Sequence, residues 1–127
     1  MDLVSFELQE KYLLVIGHGS RNNIAEMEKA SSMILAKIRE TKSRYLLVDY
    51  RKLQIHANLG ETFNIVKHYE EAHPDLRGIV IAGVFSSTNA EFGKLWTEIG
   101  RKRGFFIEFF LDITRGKNWL LDQIPKS

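Results

Sequence analysis

The residues whose types could do chemistry are those of Gly17-His18-Gly19-Ser20-Arg21, directly after the apolar run Tyr12 to Ile16. An imidazole between two glycines has little bulk around it and can ligate a metal. Small residues ahead of a helix also expose backbone amides, and with Arg21 beside them they can cradle an anion. Metal chemistry needs further ligands, and the other histidines, His56, His68 and His73, lie in a loop and on a helix at no evident ligand spacing to His18. Nucleotide loops need Gly-x-x-x-x-Gly-Lys-Ser/Thr or Gly-x-Gly-x-x-Gly, and neither pattern is present. Ser20 lacks supported histidine and carboxylate partners, and neither Ser86 nor Ser87 sits in a Gly-x-Ser-x-Gly elbow. The plainest role of the Gly-His-Gly loop is a turn.

Composition narrows the classes further. The chain has 127 residues, an ordinary length for one domain spanning 1–127, and no cysteine, which removes thiol catalysis, thiolate metal sites and disulfides. Eighteen Lys and Arg against 16 Asp and Glu leave a net charge of +2, which gives no argument for nucleic acid. The cluster Arg101, Lys102, Arg103 reads as a solvated helix end, where the helix dipole favours cations. The opening residues carry no basic region followed by an apolar run, and no segment approaches about 18 uninterrupted apolar residues. The expectation is a soluble cytoplasmic protein without a membrane span.

The elements that must position these residues follow from periodicity. Val4, Phe6 and Leu8 alternate with polar residues, the pattern of a half-exposed edge strand, and pair with Tyr12 to Ile16 as an antiparallel hairpin. Asn23 and Glu26 have capping-box spacing before a helix whose apolar face is Ile24, Met27, Ser31, Ile34, Leu35 and Ile38. Tyr45 to Val48 is a continuous apolar run, as in a strand covered on both faces, and Asp49 ends it. Asn58 and Glu61 form a second capping box, opening a helix with Leu59, Phe63, Val66 and Tyr69 on its buried stripe, and Pro74 forbids its continuation. Gly78 to Val84 is another buried strand. Ser86, Ser87, Thr88 and Asn89 offer caps for a helix that buries Phe92, Leu95, Trp96 and Ile99, with Gly104 as a left-handed stop. Phe105 to Leu111 forms the last strand, with its phenylalanines in the core on both faces. Asp112 or Thr114 then caps a final helix burying Trp119, Leu120 and Ile124.

Two strands followed by alternating helix and strand call for an α/β domain: a mixed sheet of about five strands, with an N-terminal antiparallel hairpin and then parallel strands, and about four helices. Ligands meet such sheets at the carboxyl ends of the strands. That rim comprises Gly17 to Arg21, Asp49 to Asn58, Phe85 to Asn89 and Asp112 to Arg115.

The strand order, the Leu46-Leu47-Val48-Asp49 strand ending, Asn58-Leu59-Gly60, Arg103-Gly104 before a strand, Phe110-Leu111-Asp112 and Trp119-Leu120 together resemble the SpoIIAA-like superfamily. These are STAS-type domains related to anti-sigma-factor antagonists, including an uncharacterised branch described as STAS and lipid-transfer-like. The resemblance implies a non-enzymatic regulatory or ligand-binding module, acting on a protein partner or a small apolar or anionic ligand, with self-association open and no cofactor or metal. Antagonists of this family carry a phosphorylatable serine at the start of the helix after the central strand. The matching positions here are Asn58 and Leu59, neither of which accepts phosphate. Partner docking against the same loop and helix start is still expected, at Ile55, His56, Asn58, Glu61 and Thr62, with His18, Arg21, Ser86, Ser87 and Thr88 as a ligand rim.

A second resemblance competes. Val15-Ile16-Gly17-His18-Gly19-Ser20-Arg21 is similar to the opening strand and histidine loop of the small sirohydrochlorin and cobalt chelatases, in which His18 would hold the metal. Those enzymes use another histidine after a later strand, and the corresponding rim Val84 to Ala90 has none.

Overall fold

The computed structural model describes residues 3–22, 24–56, 77–102 and 104–125. Strand β1 (Val4–Leu8) pairs antiparallel with β2 (Leu13–Gly17), with Val4 opposite Gly17 and Leu8 opposite Leu13. A two-residue strand β3 (Ser20–Arg21) leads into helix α1 (Ile24–Thr41). Strand β4 (Tyr45–Tyr50) follows, then the short β5 (Gln54–Ile55), then β6 (Val80–Phe85). A 3-10 turn at Ser87–Asn89 runs into helix α2 (Ala90–Lys102). Strand β7 (Phe106–Phe110) and helix α3 (Ile113–Gln123) complete the described chain.

The main sheet has the order β1-β2-β4-β6-β7, and β2, β4, β6 and β7 are mutually parallel. This is the expected mixed five-stranded sheet with β4 at its centre. Three α-helices stand among the described residues; the helix expected from Asn58 onward falls on residues 57–76, outside them.

Alternation along the central strands divides the core between the two faces. Leu46 and Val48 join Leu13, Val15, Ile79 and Ile107 on one face, beneath Leu35 and Ile38 of α1 and Trp96 of α2. Leu47 joins Ala82 and Val84 on the other, beneath Leu120 of α3. Covered on both sides, β4 is apolar without interruption from Tyr45 to Val48, as anticipated.

Three expectations change. The face of α2 nearest the sheet is Gly93 and Thr97, both buried, whereas Leu95 is exposed and Phe92 and Trp96 are half-buried. The cause is close packing: a Cβ at Gly93 would lie 2.6 Å from the Phe109 ring and 2.7 Å from the Phe85 ring. A hydrophobicity pattern cannot flag an approach that depends on a missing side chain. Thr97 satisfies its hydroxyl by donating to the Gly93 carbonyl at 2.8 Å. Secondly, β7 is an edge strand, so Phe106 is 53% exposed rather than buried. Thirdly, Trp119 is only half-buried, stacked on Phe106 at 6.0 Å and tilted against Phe110 at 5.8 Å, while Leu120 is fully buried.

Two helix ends follow the sequence signals. Asp112 caps α3 by accepting from the Arg115 amide at 3.0 Å. Gly104 has φ of +97°, the left-handed stop after α2. At α1, Glu26 reaches back to the amide of Asn22 at 2.8 Å; Asn23 itself lies outside the described residues. Ser86 precedes the 3-10 turn without a side-chain capping bond, so the entry to α2 is held by the Asn89 amide donating to the Ser86 carbonyl at 3.1 Å.

Candidate functional site

At the carboxyl ends of β2, β4 and β6 three loops meet, and the chain ties them to one another. Ser20 and Arg21 pair in parallel with Gln54 and Ile55, a small second sheet where a loop had been expected. The Gln54 amide donates to the Gly19 carbonyl at 3.0 Å and the His56 amide to the Arg21 carbonyl at 2.9 Å. The third loop joins through Asn89, which is buried and donates its side-chain amide to the Leu53 carbonyl at 2.7 Å. Leu53 itself is buried, which fixes the turn between β4 and β5 from below.

Arg21 is the unusual member, a cation only 3% exposed. Its guanidinium donates to the carbonyls of Leu3 at 2.6 Å, His18 at 2.9 Å and Ser20 at 3.3 Å. Buried charge must be hydrogen-bonded to be tolerated, and these carbonyls supply that. Desolvation by burial lowers its pKa, with the Tyr50 phenol and the Glu26 carboxylate opposing the shift. A guanidinium so occupied clasps the start of β1 to the histidine loop. At 3% exposure the guanidinium meets an external anion only if the clasp opens.

His18 is half-buried, and its Nε2 shares a hydrogen bond of 2.8 Å with the Ser5 hydroxyl on β1. Its backbone amide donates to Leu3 at 2.9 Å, extending the β1–β2 ladder. The ring is thereby turned toward the neighbouring strand, with one of its two nitrogens engaged. Among the described residues no group of three His, Cys, Asp or Glu is placed to hold a metal ion.

Asp49, at the end of the central strand, accepts from Arg51 three times: from the backbone amide at 3.1 Å, from Nε at 2.9 Å and, on its other oxygen, from Nη2 at 2.9 Å. Burial alone would raise the pKa of this carboxyl; the hydrogen bonds and charge of Arg51, with Lys52, outweigh it and hold the group below its ordinary value. The sequence marks Asp49 as the end of the central strand and the first residue of its rim segment, without its pairing to Arg51. A carboxylate two residues before an arginine in a turn was the available signal, since a planar fork fits a carboxylate at that separation.

Of the other expected site residues, Ile55 is half-buried and His56 exposed on the small sheet. Ser86 is half-buried, and Ser87 and Thr88 are exposed on the third loop. Asn58, Glu61 and Thr62 lie outside the described residues. The geometry thus brings His18, Arg21, Ile55 and His56 into one hydrogen-bonded unit, joined to the serine loop through Asn89.

No protein-family model matches the chain, and no curated protein matches it. A solved structure does: an uncharacterised DUF3478-family protein from Shewanella loihica PV-4, described as having a SpoIIAA-like fold. It aligns with a TM-score of 0.57 over 92% of this chain and 91% of its own, at 14% identity. The chain has a SpoIIAA-like fold. At that identity the likeness is one of fold. The SpoIIAA-like architecture here has its tied loops at the carboxyl rim, and among its described residues no helix is long and apolar enough to cross a membrane.

Proposed function

We propose that this chain is a single STAS-like domain, residues 1–127, that works in the cytoplasm as a non-enzymatic regulatory module by binding a protein partner. In this reading the expected helix from Asn58 completes the fold, and its start, with Ile55 and His56, forms the docking face. Asn58, Glu61 and Thr62 extend that face. The observation that carries the reading is the backbone staple between β3 and β5, which holds Ile55 and His56 in place before any partner arrives. A preorganised surface binds without the entropy cost of ordering it. Because Asn58 and Leu59 stand where related antagonists carry serine, the interaction runs without phosphorylation and discriminates by shape and neutral polarity. A small apolar or anionic ligand at Ser86, Ser87 and Thr88 is a variant of this proposal, its anionic form supported by the exposed hydroxyls of Ser87 and Thr88.

The test is affinity capture from the source cell with mass spectrometry of proteins and extracted small molecules, wild type beside Ile55→Ala and His56→Ala. Ile55 is half-buried, so its truncation should cost stability only about 1 kcal/mol while reducing the yield of a specific partner severalfold. Capture of every partner unchanged by both substitutions in folded protein rules out this docking face. Loss of folding in Ile55→Ala would make Ile55 a core residue instead. Cobalt insertion into a tetrapyrrole by wild type, lost in His18→Ala, would establish the chelatase reading.

A further inference from the structure

The edge strand β7 carries a device that the rim does not account for. In the parallel ladder the Phe106 amide donates inward to the Ile79 carbonyl of the β6 side, and Phe106 is registered opposite Val80. Backbone direction alternates along a strand, so the amides and carbonyls of Ile107 and Phe109 face outward, away from β6. Among the described residues no strand pairs with that side. Such an edge is a template for a further strand.

Arg101, in the last turn of α2, reaches across it. Its Nε donates to the outward carbonyl of Ile107 at 2.8 Å, and its Nη2 lies 2.7 Å from the Glu108 carboxylate. Phe106, Glu108 and Phe110 share the sheet face bearing α3, where Trp119 touches both phenylalanines. Ile107 lies on the opposite face, in the core shared with α1 and α2. The arginine therefore wraps around the edge from one face to the other, occupying an acceptor that an added strand would need.

We infer that Arg101 and Glu108 form a latch that keeps β7 from pairing with β7 of a second copy of this chain. The strand suggests its own partner by symmetry. It runs Phe106–Phe110, so antiparallel pairing of the whole strand with itself pivots on Glu108. That register sets Ile107 against Phe109 of the other copy as hydrogen-bonded pairs and lays exposed Phe106 against Phe110. It would join two five-stranded sheets into one of ten. It also sets the two Glu108 carboxylates directly opposite each other, where like charges repel. With Arg101 in place the acceptor is blocked; with Arg101 gone the carboxylates still oppose closure. Both parts of the latch must be removed for full pairing.

The chain lacks cysteine, so a single introduced thiol reports the register without background. Sedimentation velocity over rising concentration should find wild type monomeric, Arg101→Ala weakly associating, and Arg101→Ala/Glu108→Gln doubled in mass. Under mild oxidation, Arg101→Ala/Glu108→Cys should trap a disulfide-linked dimer, since facing residues of a non-hydrogen-bonded antiparallel pair lie within disulfide reach. Glu108→Cys with Arg101 present should cross-link severalfold more slowly. A folded, monomeric Arg101→Ala/Glu108→Gln protein overturns the inference, as does cross-linking equally fast with Arg101 intact, or assembly beyond the dimer without a link at position 108. Should the double variant lose its fold by circular dichroism, Arg101→Lys decides: its ammonium lacks the planar fork that serves carbonyl and carboxylate together. It must associate more than wild type, and a folded monomeric Arg101→Lys overturns the latch.

Discussion

Phe85→Ala lowers the stability of this domain by about 3–5 kcal/mol, the range for truncating a large aromatic in a packed core. Phe85 is fully buried, and its ring meets Tyr50 at 5.8 Å, Phe92 at 6.2 Å, Trp96 at 5.9 Å and Phe109 at 5.7 Å. It stands at the end of β6, beneath the loop that carries Ser86 to Asn89, so the side chain joins the core to the rim. The Gly93 backbone of α2 lies against the Phe85 and Phe109 rings, so truncating Phe85 removes one of the two rings that support the helix as well as core volume. Urea unfolding followed by tryptophan fluorescence should give a lower midpoint with the slope unchanged. A loss under about 1 kcal/mol would show that the aromatic cluster contributes little to holding α2.

Removing the final helix from Ile113 onward should abolish cooperative unfolding altogether. Leu120 is fully buried against Leu47, Ala82 and Val84, the whole buried set on that face of the sheet among the described residues. Gly116 lets the helix lie close, with a Cβ there meeting Val84 at 3.1 Å and Phe110 at 3.3 Å. Exposing that face removes burial worth about 25 cal/mol per Å² of apolar surface, against a total stability of about 5–15 kcal/mol for a domain of this kind. Near-ultraviolet circular dichroism should collapse. A truncated chain that melts like the intact one would contradict the packing described here.

The parts of the fold that were legible in the sequence are those that depend on pattern. The uninterrupted apolar run at Tyr45 to Val48 identified the central strand, and Asp112 and Thr114 marked the start of the last helix, where Asp112 supplies the cap, because burial on both faces and helix-start chemistry each leave a local signature. What depends on partners distant in sequence was not legible. Whether Phe105 to Leu111 lies inside or at the edge of the sheet is a matter of strand order, and its edge position leaves Phe106 and Leu111 exposed. The short β3 and β5 strands carry no periodicity in two residues each, so their pairing could not be read from either segment alone. At the site, His18 and Arg21 were recognisable as chemically capable residues. Their engagement with Ser5, Leu3 and neighbouring carbonyls was not, because it arises from the first strand, some 13 to 18 residues away.

The central claim is that the rim around Ile55 and His56 is assembled before anything binds to it, and amide hydrogen exchange of the free protein tests this most directly. The amides of Gln54 and His56, bonded to Gly19 and Arg21, should exchange slowly, protected about 100-fold or more over an unstructured chain, with the buried Arg21 clasp intact. Exchange of both amides at unstructured rates, while β4 and β6 remain protected, would show that the two loops are not tied and would contradict a preassembled docking face.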